Sequence, residues 1–278
     1  MDKNLKKIII KTKRAIKSGK FGLHISTTRG VGSTFIELRE YQYGDDIRFI
    51  DWNRTAKEQT PYVKIFNMEN ELNINIVTIL SGSVHFGSNG LFKQELIAHI
   101  SSILGNVTIN QNDNFKSFIA NNDFIVNTKR SKDINRVNNM VENILKYNAI
   151  GKDINYTHIY KSIIKYIAKK EVLFLVGDFV GYDDIKIKFL VKRYYLFVII
   201  VRDRFEDDPK IMKNTNLIDP IKYNSIDGDI DDKMIDSYKK NIVDNDTRLI
   251  KELNRFNIKY TKIYTDEDPF FKIRRLFL

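Results

Sequence analysis

The sequence predicts a three-layer α/β sandwich on a mostly parallel sheet, preceded by a small β-rich element. Three observations carry that expectation. Residues 77–80, 172–176 and 195–201 are apolar almost without a break, as strands covered on both faces are. Segments with apolar residues at helical spacing alternate with them, which is the pattern of parallel βαβ units. One pair of neighbouring strand candidates within residues 115–126, broken by Asn121-Asn122-Asp123, supplies an antiparallel hairpin at the sheet edge.

Length and composition agree with this. A chain of 278 residues with 42% hydrophobic and 29% charged residues can bury a full core and is not of disordered composition. It has no cysteine, which excludes disulfides, thiolate metal sites and a cysteine nucleophile, and fits a reducing, cytoplasmic compartment. The net charge of +11 invites a nucleic-acid reading, but the lysines are dispersed through the chain. The 18 Phe and 14 Tyr fall mostly in apolar strands and helices, not on a basic stacking platform. Nucleic-acid binding is therefore not expected, apart from an alternative resting on the N-terminus.

Taken in order, residues 1–20 hold eight Lys or Arg against the single acid Asp2. Leu5, Ile8, Ile9 and Ile16 can share one helix face, giving a basic amphipathic segment. Such a segment packs on its own domain or rests on a partner or on the inner face of a membrane. No stretch approaches the roughly 18 apolar residues of a membrane span. Residues 21–70 form the β-rich element, with a turn expected at Gly44-Asp45-Asp46. The α/β domain, residues 71–278, opens with a strand in which Leu72, Ile74 and Ile76 alternate with Asn73 and Asn75 before the run turns wholly apolar. Phe92, Leu96, Ile97, Ile100, Ile103, Leu104 and Val107 mark a first helix, Ile134, Val137, Val141, Ile144 and Leu145 a second, and Ile159, Ile163, Ile164 and Ile167 a third. Helix signals return over residues 182–192. The Asp-rich stretch 204–231 is an excursion, followed by a long helix over 233–256, a strand over 258–264 and a terminal helix after Asp268-Pro269.

Ligands of open α/β sheets bind beyond the carboxyl ends of the strands. Those ends carry Ser81-Gly82-Ser83, Asp178 and Arg202-Asp203, with Asn155-Tyr156-Thr157 opening the third helix nearby. Hydroxyls of Ser81, Ser83 and Thr157 with the Asp178 carboxylate are hard oxygen donors of the kind Mg²⁺ or Mn²⁺ prefers. Each is also an ordinary cap or turn residue. His24, His85, His99 and His158 lack metal-ligand spacing, and no nucleophile elbow or phosphate-cradling glycine loop is present.

The order strand, Ser-x-Ser, helix, hairpin, helix, Thr, helix, strand, Asp resembles the von Willebrand factor A-like fold with its metal-ion-dependent adhesion site. Around it stand Gly22, His24, Phe35, Arg39, Tyr41, Gly44, Asp45, Arg48, Ile50, Asp51, Trp52, Ala56, Tyr62, Val63, Lys64, Phe66 and Glu69, then Phe86-Gly87, Lys93, Arg202-Asp203 and Asp266-Glu267-Asp268-Pro269. Over residues 20–278 this resembles the domain-of-unknown-function 58 (DUF58) family associated with MoxR-type AAA+ ATPases. The family's metal strand reads Asp-x-Ser-x-Ser, and Ile79 stands at its Asp position. With one acid lost the resemblance implies a degenerate site, with Mg²⁺ binding weak or absent.

What the resemblance implies is a non-enzymatic interaction module, an adaptor or co-chaperone of a MoxR-type ATPase or of other A-domain proteins. The alternatives are a metal-dependent phosphohydrolase using Asp45, Asp46, Asp51 and Asp178, or nucleic-acid binding through residues 1–20. Within the family signature, Asp51 is expected to pair with an Arg and Trp52 to be buried against sheet or helix.

Overall fold

The computed structural model describes residues 34–67, 71–210 and 212–276. The basic segment 1–20 and the signature residues Gly22, His24 and Glu69 lie outside the described residues. The chain divides into two compact units at Glu71 and Leu72.

In the first unit, β1 (Thr34–Glu40) pairs antiparallel with β2 (Tyr62–Asn67). Between them lie a 3-10 turn, Ile47–Phe49, and a helix α1 (Trp52–Glu58). A stretch expected to hold only strands and turns thus contains a helix. Local chemistry accounts for it. The Asp51 carboxylate caps the helix by accepting from the Arg54 amide at 3.1 Å, and Arg54 pairs with Glu58 one turn on at 3.2 Å. Gln59 then takes a left-handed conformation with φ of 54°, and Pro61 prevents continuation. Seven residues are too few for helical periodicity to register.

The second unit is built on a six-stranded sheet in the order β10-β7-β6-β3-β4-β5. Its strands are β3 (Asn73–Ile79), β4 (Asn114–Ala120), β5 (Phe124–Ser131), β6 (Val172–Gly177), β7 (Tyr195–Arg202) and β10 (Lys259–Tyr264). All pairs are parallel except β4 with β5, so the hairpin sits at the edge as the sequence predicts. Helices flank the sheet. On one face Ile159 and Ile163 of α4 (Tyr156–Tyr166) and Leu249 and Leu253 of α7 (Asp232–Arg255) pack with Val77, Phe118, Leu175 and Val198. Elsewhere α2 (Lys93–Asn110) is buried along most of its length and packs against β3, β4, β7 and α3 (Ile134–Lys146).

Two sequence expectations change in extent. The helix sought over 182–192 shrinks to α5 (Ile187–Leu190), because Asp184 accepts from the Lys186 amide at 2.6 Å and Lys186 is left-handed. The excursion over 204–231 contains α6 (Arg204–Asp207) and an antiparallel pair, β8 (Met212–Ile218) with β9 (Ser225–Ile230). After the sheet's last strand, α8 (Pro269–Arg275) is capped by Asp268, which accepts from the Phe270 amide at 2.9 Å. No helix among the described residues is long and apolar enough to cross a membrane.

Candidate functional site: a charged rim at the strand ends

Strand order decides where chemistry can collect. From β3 the chain moves outward through β4 and β5, then returns to β6 on the other side of β3. The reversal puts the topological switch point, the usual ligand position in such sheets, at the carboxyl ends of β3 and β6. Thr78 lies beside Val176, and Gly177 beside Ile200, so Ser81, Asp178 and Arg202 reach one rim. The close approach needs glycine at 177: a Cβ there would stand 2.9 Å from the Ile79 Cβ.

At this rim the Ser83 hydroxyl donates to Asp178 Oδ2 at 2.5 Å, and the Ser81 and Ser83 oxygens are 2.7 Å apart. The same Asp178 oxygen accepts from Lys93 Nζ at 2.9 Å, and that ammonium donates also to Glu206 Oε1 at 2.6 Å. Lys93 and Asp178 are fully buried, with 0% of either side chain exposed. Burial by itself would raise the Asp178 carboxyl, but the Lys93 ammonium, the Ser83 hydroxyl and the Arg202 charge hold it below the ordinary carboxylate value. The network continues outward: Arg202 Nη2 donates to Asp246 at 2.5 Å, and Lys262 reaches Asp246 at 2.9 Å and Asp207 at 2.8 Å.

Of the four expected donors the structure gathers three. Ser81, Ser83 and Asp178 meet; no hydrogen bond joins Thr157 to them. It lies exposed in the first turn of α4, whose cap is Asn155 accepting from the His158 amide at 2.9 Å. Tyr156 is the residue turned inward there, and burial together with the Asp178 charge pushes its hydroxyl far up. Ile79 is fully buried in the apolar cluster with Phe118, Tyr156 and Phe179.

Two members of the rim were not singled out as site residues from sequence. Glu206 had a readable signal: Asp203-x-x-Glu206 is a capping box, in which the Asp203 amide donates to Glu206 Oε2 at 3.0 Å and the Phe205 amide to Asp203 Oδ1 at 2.9 Å. Lys93 had another. It lies three, four and seven residues before Leu96, Ile97 and Ile100, on the apolar stripe of α2, where a lysine needs a buried partner.

The signature residues of the first unit form a separate frame. Arg39 grips Asp45 with two bonds, of 2.8 and 2.7 Å, and Asp45 also accepts from the Gln42 amide at 2.8 Å. The hydrogen bonds from Arg39 and Gln42 hold the Asp45 carboxyl below its usual range. Gly44 has φ of +102°, a conformation that favours glycine, and the Tyr41 amide donates to Pro61 O at 2.8 Å. Arg48 pairs with Asp46 at 2.6 Å. Two expectations are corrected. Asp51 pairs with Lys64, at 3.1 Å, not with an Arg, because the β1–β2 ladder brings β2 alongside the helix cap, where the Asp51 amide donates to Tyr62 O at 2.8 Å. Trp52 is 67% exposed rather than buried: as the first residue of a one-sided short helix it projects outward, and Tyr43 and Ile47 are exposed with it.

A concavity of about 450 Å³ between Asp184, Lys186, Lys188, Phe189 and the α7 residues Arg248, Lys251, Glu252, Arg255 and Phe256 contains none of these groups. Among the described residues, no three His, Cys, Asp or Glu side chains gather as a metal-ligand group.

Comparison with known proteins adds a family. A model described as "Protein of unknown function DUF58" matches residues 37–248. Uncharacterized proteins from Mycobacterium bovis and Mycobacterium tuberculosis are 31% identical over 100 residues, which is 36% of this chain and 32% of each relative; the match thus spans about a third of the length of these curated relatives. Among solved structures the chain is similar to the conserved hypothetical protein BatB from Bacteroides thetaiotaomicron, with a TM-score of 0.49 and 12% identity over 74% of this chain and 96% of that one. It is also similar to an aerotolerance-related membrane protein from Bacteroides fragilis, with a TM-score of 0.43 and 11% identity over 73% and 95%.

Proposed function

The chain belongs to the DUF58 family, and from that premise we propose that it is a non-catalytic protein-binding module of von Willebrand factor A-like fold. Its signature element docks a MoxR-type AAA+ ATPase, for which the chain acts as adaptor or co-chaperone. The observation that carries this reading is the exposure of Trp52, and of Tyr43 and Ile47 in the same unit, in an element held by the Arg39–Asp45 and Asp51–Lys64 pairs. An exposed Trp, with further exposed apolar side chains in the same element, has the composition of an interface hot spot. The A-like reading is supported by Ser81, Ser83 and Asp178 meeting at the switch point of the sheet. Non-catalytic action is supported by how the rim spends its polar groups: Asp178, Glu206 and Ser83 are bound to one another or to Lys93.

The test is association with a nucleotide-loaded MoxR-type ATPase from the same organism, measured by co-elution and surface plasmon resonance. Trp52→Ala should weaken binding by about 30-fold, the equivalent of a 2 kcal/mol hot spot. Its melting temperature should be unchanged, because an exposed side chain supports little of the fold. No binding by the wild type, or equal binding by the variant, overturns the reading. Turnover of a phosphomonoester that disappears in Asp178→Ala would overturn its non-catalytic part.

A further inference from the structure

A metal-ion-dependent adhesion site would place a divalent cation on Ser81, Ser83, Thr157 and Asp178, with a second acid at position 79. The residues present do not fit that group. Thr157 is turned to solvent, position 79 is an isoleucine sealed in the apolar core, and the Asp178 oxygen that faces Ser83 is already engaged by Lys93 Nζ at 2.9 Å. Magnesium holds its oxygens at about 2.0–2.1 Å in near-octahedral geometry. To take Asp178 Oδ2 in that manner it must displace one of the two donors already there, the Lys93 ammonium or the Ser83 hydroxyl.

We infer that Lys93 is the resident cation of this rim: its ammonium takes the place of a divalent metal, and the site is complete without one. The charge balance supports this. Asp178 and Glu206 approach the buried centre as two carboxylates, Lys93 bridges them at 2.9 and 2.6 Å, and the fully buried Arg202, whose charge also acts on Asp178, makes its own bond to Asp246 at 2.5 Å. Buried carboxylates of this kind need a paired positive charge. The position of the lysine supports it too. Lys93 is the first residue of an 18-residue helix, where the macrodipole disfavours a cation; the two carboxylates are what hold it there. The neighbouring turn is also closed by the protein itself. A Cβ on Gly82 would lie 2.4 Å from Pro220 O, in the turn between β8 and β9, and that carbonyl accepts from the Gly151 amide at 2.8 Å.

The experiment uses Mn²⁺ and Mg²⁺ alone as probes, on the full chain, by titration calorimetry and thermal unfolding. The wild type should give no one-to-one isotherm tighter than about 1 mM, and chelator should leave its melting temperature unchanged. Lys93→Met should lower that temperature by on the order of 10 °C, since one buried cation is lost from two carboxylates. Mn²⁺ should then bind Lys93→Met and restore part of the loss. Micromolar binding by the wild type overturns the inference. So does a folded Lys93→Met that ignores Mn²⁺, which would make Lys93 an ordinary buried ion pair. Should Lys93→Met not fold, Lys93→Gln, which is also uncharged but can still hydrogen-bond Asp178 and Glu206, takes its place with the same two deciding outcomes. None of these outcomes bears on Trp52, so this inference and the docking reading fail separately.

Discussion

Asp203 shows how much one side chain can be asked to hold. Its carboxylate accepts from the Ser88 amide at 3.0 Å and hydroxyl at 2.5 Å, from the Thr265 hydroxyl at 2.7 Å and from the Phe205 amide at 2.9 Å. It thereby ties the loop before α2 to the ends of β7 and β10. Burial would raise this carboxyl, yet the donors from Ser88, Thr265 and Phe205 hold it below its ordinary value. Asp203→Ala should cost about 2–4 kcal/mol by denaturant unfolding, because charged hydrogen bonds are lost and buried donors orphaned. The pH dependence follows from the depressed values of Asp203 and Asp178. The folded protein takes up these protons at lower pH than the unfolded chain, whose aspartates titrate near about 3.9. Their stabilisation is present above that pH and is lost as pH falls through the folded values. Unfolding free energy measured from pH 6 downward should fall on this acid limb, and less steeply in Asp203→Ala. At this scale the sequence marks Asp203 and Glu206 through a capping box. It cannot mark the contacts with Ser88 and Thr265, which are 115 and 62 residues away.

Among the elements, β3 and β6 meet where the rim begins, and Gly177 sets their distance. An alanine there would bring its Cβ to 2.9 Å from the Ile79 Cβ and 3.2 Å from its carbonyl oxygen. Gly177→Ala should destabilise by about 1–3 kcal/mol, the usual cost of overpacking. Ile79→Val should give no relief, since valine keeps both offending atoms; comparing denaturation midpoints of the single and double variants checks this. The legibility of elements follows their length and setting. The buried strands were readable because both faces are covered, which leaves continuous apolar runs. The helix α1 was not, because its Asp51 cap and the Pro61 stop enclose only seven residues. The helix expected over 182–192 was over-read, because apolar spacing does not report that Asp184 bonds the local backbone and Lys186 turns left-handed.

For the molecule as a whole, alternation of strands and helices was enough to anticipate the mostly parallel sheet and its antiparallel edge. The same reasoning put Ser81, Ser83 and Asp178 at one rim, because it needs only strand ends and their order. It failed for Trp52 because the identity of a residue does not state which way a seven-residue helix turns it, and for Thr157 because Thr157 lies off the stripe of Tyr156, Ile159 and Ile163 that α4 buries. Trp52 carries the hydrophobicity of a core residue and is nonetheless exposed. Lys93 carries a charge and is sealed inside.

The bridge from Lys93 to Asp178 and Glu206 spans 85 and 113 residues of chain, and this bears on the order in which the protein is made. During synthesis the N-terminal parts emerge and fold first, so the lysine leaves the ribosome well before either carboxylate exists. Until β6 and α6 follow, its ammonium must stay in water, and the first turn of α2 cannot close over it. Hydrogen exchange on ribosome-bound chains stalled before β6 should therefore find the amides of that turn unprotected, and protection should appear only in chains long enough to expose both β6 and α6. Early protection of the turn would mean that the ammonium is sealed before its carboxylates arrive.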